Sequence, residues 1–370
     1  MFFPSYHASA PACKTGLANG EKVDIMLLET IRAGCAARPP DSVRASYGEK
    51  ESLMQKILID ADTGIDDSIA ILYALKQPQL RVVGITTGCG NTNAAQAAEN
   101  TLRLIKMSGV GYEVPVAIGE NKPLVGEWEG PVPHIHGKNG VGDVDLPPTD
   151  QKPLAEHASD FMVRMARQHG RDLTIVTLGR MTNLALALRR EPSLPSMVKN
   201  VVFMGGTFRQ YGNVTPVSEA NIFGDPEAAD MVFQAGFDLT MVGLDVTTKT
   251  RMTSHDVDLL VKYATPENQA IAAYVRQAMD NVYFPFNRWQ NNCLDHCPVH
   301  DPSALLYVVE PSLFTTCRVR ARVECRGEFT RGMVVPDFRE YPFEAGFVNI
   351  CVDVDARRAL ERLIAAFTRA

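Results

Sequence analysis

Four carboxylates fall within eight residues in the segment Asp60-Ala61-Asp62-Thr63-Gly64-Ile65-Asp66-Asp67, directly after the apolar run Ile57-Leu58-Ile59. Side chains two apart on a strand share a side, so Asp60 and Asp62 are expected to face one way. Asp66 and Asp67 open the next helix, whose positive end favours anions. Like charges at 4 Å repel by about 1 to 4 kcal/mol, depending on the effective dielectric. A cation or shared protons must relieve that repulsion, and hard oxygen donors select Ca²⁺ or Mg²⁺ over softer metals. Helix capping explains one or two such acids, not four.

These acids need a strand that ends beneath them and neighbours that bring partners to the same edge. Ile57-Leu58-Ile59 reads as a buried strand, Ile65 to Lys76 as a helix and Arg81 to Thr86 as a second strand, which makes a βαβ unit. Next come a helix over 91–106, stopped near Gly109, and a strand over Val114 to Ile118. Beyond a Gly- and Pro-rich loop from about Glu120 to Pro148, the pattern predicts helix 153–169, strand Leu173 to Leu178, helix 182–190, strand Val198 to Met204 and strand Leu239 to Gly243. Helical stretches over 254–263 and 266–282 lead to a more strand-rich C-terminal part, with strands over Arg318 to Cys325 and Val348 to Val354 and a last helix over 355–368. The expected fold class is α/β, an open, mostly parallel, doubly wound sheet with flanking helices. Ligands of such sheets bind outside the carboxyl ends of the strands, where the acids fall. Residues 1–54 differ in composition and carry one short apolar helix candidate around Val23 to Ala36; they are expected to be an N-terminal extension, with residues 55–370 as the catalytic domain.

Two families share parts of this pattern. Asp60-x-Asp62 after an apolar strand resembles the phosphatase motif of haloacid-dehalogenase-like enzymes, which would make Asp60 a nucleophile and Asp62 a general acid. The whole segment Asp60 to Asp67 resembles the DxDxGxDD signature of the calcium-dependent nucleoside hydrolases, with Thr63 where many members have Pro. The resemblance to the latter continues through Thr86-Thr87-Gly88-Cys89-Gly90-Asn91, His134-Ile135-His136-Gly137, Leu178-Gly179-Arg180-Met181-Thr182-Asn183, Val202-Phe203-Met204-Gly205-Gly206, Glu219 to Ala228 and Val299-His300-Asp301-Pro302. The motifs keep the family's order from about residue 55 to the C-terminus, and no phosphatase pattern accounts for them.

Hydrolysis of an N-glycosidic bond develops positive charge on the ribose and negative charge on the leaving base, so a site must hold the sugar, activate water and neutralise the base. The resemblance implies calcium bound by Asp62, Asp67, the carbonyl of Leu178 and Asp301. It also implies that Asp62 takes the proton from a water the metal activates, and that Asp66, Asn91, Glu219, Asn221 and Met204 surround the ribose. Asp60 is expected to orient ligands. His300, next to Asp301, is the expected acid for the leaving base, and His136, in the Gly-rich loop, a substrate contact. His134 is a weaker candidate, and Tyr283, Phe284, Phe286 and Trp289 offer an aromatic wall from which no catalytic group is chosen. Cys293, His296, Cys297 and His300 carry zinc-ligand chemistry, but their spacing is not a paired Cys-x-x-Cys and zinc would compete for His300. Gly88-x-Gly90 lacks the third glycine of a dinucleotide fingerprint.

The chain of 370 residues, 45% hydrophobic, has material for a sizeable core, and its 37 Lys plus Arg against 43 Asp plus Glu give no basic field for nucleic acid or membrane surfaces. Its eight cysteines are sparse and irregular, unlike a secreted disulfide framework. The expectation is a cytoplasmic ribonucleoside hydrolase, a homodimer or homotetramer, working in nucleoside salvage or degradation. The alternatives are the phosphatase and a catalytically silent nucleoside-binding protein.

Overall fold

The computed structural model describes residues 54–290 and 296–369; the expected extension with its helix candidate, and Cys293, lie outside the described residues. Short apolar runs buried on both faces make parallel strands. The chain supplies them in turn as β1 (Gln55–Ala61), β2 (Leu80–Thr87), β3 (Val116–Ile118), β4 (Leu173–Thr177), β5 (Asn200–Met204) and β6 (Leu239–Val242). β7 (Arg251–Thr253) and β8 (His296–Pro298) form a separate antiparallel pair, and β9 (Phe314–Val323), β10 (Val334–Asp337) and β11 (Phe347–Val354) complete the main sheet. Its order is β10-β9-β11-β6-β5-β4-β1-β2-β3, parallel throughout except that β9 runs antiparallel to both its neighbours. The winding reverses at β1, with β2 and β3 on one side and β4 on the other. That reversal is the switch point where such sheets bind ligands, and Asp60 and Leu178 stand at the carboxyl ends of its two strands.

The helices are α1 (Ile65–Lys76), α2 (Ala94–Ser108), α3 (Ala158–His169), α4 (Thr182–Arg190), α5 (Pro226–Gln234), α6 (Ser254–Tyr263), α7 (Gln269–Ala278), α8 (Asp301–Val309) and α9 (Ala356–Thr368), with shorter turns between. Strand side chains alternate between faces. Ile57 and Ile59 therefore join a core with α1, α2 and α6 to α9, whereas Leu58 joins Phe161, Leu184, Phe203 and Phe233 in a second core under α3, α4 and α5. Among the described residues no helix is long and apolar enough to cross a membrane.

The expected α/β architecture is the one observed, with local differences that have physical causes. The helix expected from residue 91 starts at Ala94 because the Asn93 side chain accepts the Gln96 N–H as its N-cap; Gly109, at φ +65°, ends it. Asn91 is thereby left outside the helix. The helix expected from residue 153 starts at Ala158, capped by His157, because Leu154 bridges to β3. The stretch 266–282 is interrupted by a π-helical turn over Met279–Tyr283 before a helix over Phe284–Gln290. Sequence reading missed α8, β10 and the β7–β8 pair, all short.

Gly84 shows how closely the second core is fitted. It lies at a register shift between β1 and β2, and a Cβ there would overlap the ring of the fully buried Phe161. Gly84→Ala is therefore expected to destabilise by about 1–3 kcal/mol through overpacking. Phe161→Leu in the Gly84→Ala background should recover part of that loss. Denaturant unfolding measures both, and an unchanged midpoint for Gly84→Ala would show that the ring gives way freely.

Candidate active site

Asp60 anchors the site without opening into it. Its Oδ1 accepts from Thr86 Oγ1 of β2 at 2.7 Å and Asn183 Nδ2 of α4 at 2.9 Å, and its carbonyl accepts the Leu178 N–H at 2.7 Å. Burial pushes its carboxyl up to about 7, against the pull of those two donors. One residue thus ties β1, β2, β4 and α4 together. A phosphatase nucleophile would need an exposed, ionised carboxylate at this position, and Asp60 is 2% exposed.

Asp62, just past β1, lies between two backbones that lack side chains. A Cβ on Gly90 would overlap its Oδ2, and one on Gly179 would stand 2.8 Å from its Oδ1. Its Oδ2 accepts the Asn91 N–H at 2.7 Å. Burial raises its pKa, opposed by that N–H and by the His136 and Arg180 fields. Asp67, in the first turn of α1, accepts from Gly64 N–H at 2.8 Å and Asn91 Nδ2 at 3.0 Å through Oδ2. Asn91 thus bridges Asp62 and Asp67, a role open to it because α2 begins three residues later.

Asp66, Asp67 and Asp301 form the one group of His, Cys, Asp and Glu side chains among the described residues arranged to hold a metal ion, each offering an oxygen within 4.8 Å of the others. All three are raised in pKa, first by burial; neighbouring carboxylates add to the rise at Asp67 and Asp301, whereas the charge of His300 opposes it at Asp66. Asp66 Oδ1 and Asp67 Oδ1 are buried with no hydrogen-bond partner. Buried unsatisfied carboxylate oxygens are costly, and hard donors so arranged fit a hard divalent cation. Of the expected metal set Asp62, Asp67, Leu178 and Asp301, Asp67 and Asp301 lie in this group; Asp62 stands close enough for its charge to act on both, with Oδ2 accepting from Asn91, and the Leu178 carbonyl accepts Asn221 Nδ2 at 2.6 Å.

The expected ribose contacts gather around the same edge. Glu219 is 2% exposed and caps the short helix Ala220–Gly224, accepting N–H groups from Gly206, Asn221 and Ile222. Asn221 reaches the Met204 carbonyl at 3.2 Å as well as Leu178. His136 approaches Asp66 Oδ1 at 3.8 Å, but this is not an ion pair. Burial lowers its pKa to about 4, and its Nδ1 accepts the Ile65 N–H at 3.1 Å, which places the proton of the neutral ring on Nε2. His300 is half-buried, with Nδ1 2.8 Å from Thr247 Oγ1. Burial lowers its pKa too, opposed by the charge of Asp66.

The aromatic candidates separate. Tyr283 Oη donates to Asp66 Oδ2 at 3.5 Å and its ring faces His136. Phe284 is core, while Phe286 stacks with the exposed Trp289 and meets His134 edge-on. Cys297 lies inside the apolar core. Sequence reading missed Thr247 as the residue that orients His300, and Arg180 as a cation beside Asp62. Arg180 was legible only as part of a motif, and Thr247 carried no local signal.

The family model described as inosine-uridine preferring nucleoside hydrolase matches residues 57–361. Uridine nucleosidase 1 of Arabidopsis thaliana is 38% identical over 288 residues, 76% of this chain and 82% of its own. Among solved structures, a plant nucleoside hydrolase, PpNRh1, superposes with a TM-score of 0.80 at 32% identity, covering 85% of this chain and 99% of that one. A purine-preferring ribonucleoside hydrolase from Gardnerella vaginalis gives 0.78 at 33% identity, covering 85% and 100%.

The fit of Asp62 against Gly90 generates a test. Gly90→Ala must push the Asp62 carboxylate aside, so turnover is expected to fall by at least about 10²-fold, the order of loss for a catalytic group displaced by an ångström. Circular dichroism and steady-state kinetics on purified Gly90→Ala would measure this, and near-normal turnover in a folded variant would mean that Asp62 does not need its present place.

Proposed function

The chain belongs to the inosine-uridine preferring nucleoside hydrolases and hydrolyses the N-glycosidic bond of ribonucleosides to free base and ribose; we propose that it does so with a calcium ion at Asp66, Asp67 and Asp301 and with Asp62 as the base. The observation that carries this reading is the pair of buried, unpartnered oxygens on Asp66 and Asp67. Calcium at such a site supplies positive charge that acidifies water and grips vicinal hydroxyls. The family resemblance puts Asp62 and the Leu178 carbonyl in the same set. Exchange of the Asn221 contact for the cation would free that carbonyl.

In this reading Asp62 takes the proton of the attacking water. The Asn91 N–H on its Oδ2 holds that carboxylate in place. Asp66, Asn91, Glu219 and Asn221 hold the ribose, with Met204 beneath it, and His136 donates from Nε2. Water attacks C1′ as the bond to the base breaks, and the base leaves with a proton supplied by His300. Thr247 occupies Nδ1 of that ring, which leaves Nε2 for the base. We assign the enzyme to the cytoplasm, to nucleoside salvage or degradation, and to a homodimer or homotetramer, with residues 1–54 as an extension that contributes no catalytic side chain.

Two measurements test the core of this reading. Metal analysis of active protein should find about one calcium per chain, and Asp62→Ala should abolish turnover of inosine and uridine; absence of calcium, or full turnover by the variant, would remove the assignment. His300→Ala should slow inosine by about 10² to 10⁴-fold, the usual worth of general acid catalysis. It should slow p-nitrophenyl riboside far less, because that leaving group needs little protonation. Equal slowing of both would reduce His300 to structural support.

A further inference from the structure

Asn100 lies on α2, outside every motif that names the site, and is 2% exposed. A buried carboxamide must have its donors met. Here Nδ2 donates to the Asn139 carbonyl at 2.8 Å and to the Thr63 carbonyl at 3.3 Å, while Oδ1 accepts from Gln96 Nε2 at 3.0 Å. Two carbonyl partners on one side and an amide donor on the other fix which way the carboxamide is turned.

The Thr63 carbonyl belongs to the same planar peptide as the Gly64 N–H, and that N–H donates to Asp67 Oδ2 at 2.8 Å. Whatever holds the carbonyl therefore sets the direction of the N–H that holds Asp67. The Thr63 side chain adds a second tie. Thr101 gives its hydroxyl proton to the Ala97 carbonyl, so the 2.7 Å contact between the two hydroxyls has Thr63 as donor.

The other partner, Asn139, lies in the segment that carries His136. Gly140, at φ +83°, is pressed against Thr92 and Asn100, and a Cβ there would overlap the Thr92 methyl. Gly142 accepts from Asn281 Nδ2 at 3.0 Å and gives its own N–H to the His136 carbonyl at 2.8 Å. His136 in turn accepts the Ile65 N–H. The His136 segment and the carboxylate segment are thus joined at two points, by His136 itself and by Asn100.

We propose that Asn100 is a positioning residue for the acid cluster: by clasping the Thr63 and Asn139 carbonyls it fixes the peptide that orients Asp67 and the segment that carries His136. The inference rests on the reading of Asp67 as a metal ligand. Residues that orient metal ligands from behind cost about 10 to 100-fold in metal affinity or activity when lost, and Asn100 falls in that range.

The test is calorimetric titration of calcium into the metal-stripped full chain, for wild type, Asn100→Ala, Asn100→Asp and the control Ser108→Ala. Ser108 is also on α2 and also buried, and it loses a hydrogen bond to the Ile105 carbonyl, far from the acids in sequence and in its contacts. Calcium dissociation constants are expected to rise about 10 to 100-fold in both Asn100 variants and to stay at the wild-type value in Ser108→Ala. At saturating calcium the Asn100 variants should recover most of their turnover of inosine, which a general loss of folded protein would not allow. If Asn100→Ala does not fold, Asn100→Ser takes its place under the same reading. A wild type that binds no calcium would overturn the metal assignment itself. A wild type that binds it, with unchanged affinity in folded Asn100 variants, would overturn this inference alone.

Discussion

The crowding of buried negative charge at the switch point of the sheet is the constraint on which the rest depends. Asp60, Asp62, Asp66, Asp67 and Asp301 are all withdrawn from water, and each has its pKa raised with burial as the first cause. At 4 Å and an effective dielectric near 20, each like-charged pair costs about 4 kcal/mol, a large part of the stability of an ordinary domain. The fold answers mainly with backbone, Arg180 being the cationic side chain whose field reaches Asp62. Gly64 and Asn91 turn N–H groups to Asp67 and Asp62, and Asp67 and Asp301 sit in the first turns of α1 and α8, where the helix end is positive. These donors leave Asp66 Oδ1 and Asp67 Oδ1 unmatched, positions that a hard cation would satisfy.

The same constraint explains the glycines of the motifs. Gly90 and Gly179 are needed less for unusual backbone angles than for the absence of a side chain, since Asp62 lies against both. The helix boundary at Asn93 matters for a related reason. The start at Ala94 leaves Asn91 in the loop before the helix, where its N–H and its side chain reach Asp62 and Asp67. A small shift in capping is thereby coupled to the geometry of two acids contributed by β1 and α1.

The acid segment was legible in the sequence because four carboxylates after a buried strand have few inexpensive explanations, and the alternating apolar runs declared the parallel sheet. The pairing of residues distant along the chain could not be read. Nothing near Thr247 announces that it will meet His300, 53 residues on. Asn100 looks like one more polar residue of an amphipathic helix until Thr63 and Asn139 are seen beside it. The helix at Asp301 escaped because its sequence, Asp-Pro-Ser-Ala-Leu-Leu-Tyr-Val-Val, is apolar nearly all round, as befits a helix buried against α1, and so carries little periodicity. The placement of Asp66 beside Asp67 and Asp301 was likewise invisible, because adjacent residues in a first helical turn diverge unless a third element draws them together.

The two sides of the site are built differently. One side rests on the sheet ends, on Asn91 bridging two acids, on Glu219 accepting three backbone N–H groups, and on the clasped segments around Thr63 and Asn139. The other side contains the π-helical turn at Met279–Tyr283, the half-buried Phe286 and the exposed Trp289. A π-turn inserts a residue into helical hydrogen bonding and re-aims the side chains of the next turn; this one ends at Tyr283, whose hydroxyl donates to Asp66, so it links the aromatic residues to the acids. Tyr283 thus stands in contact with both the acid cluster and His136, while Phe286 meets His134 and Trp289.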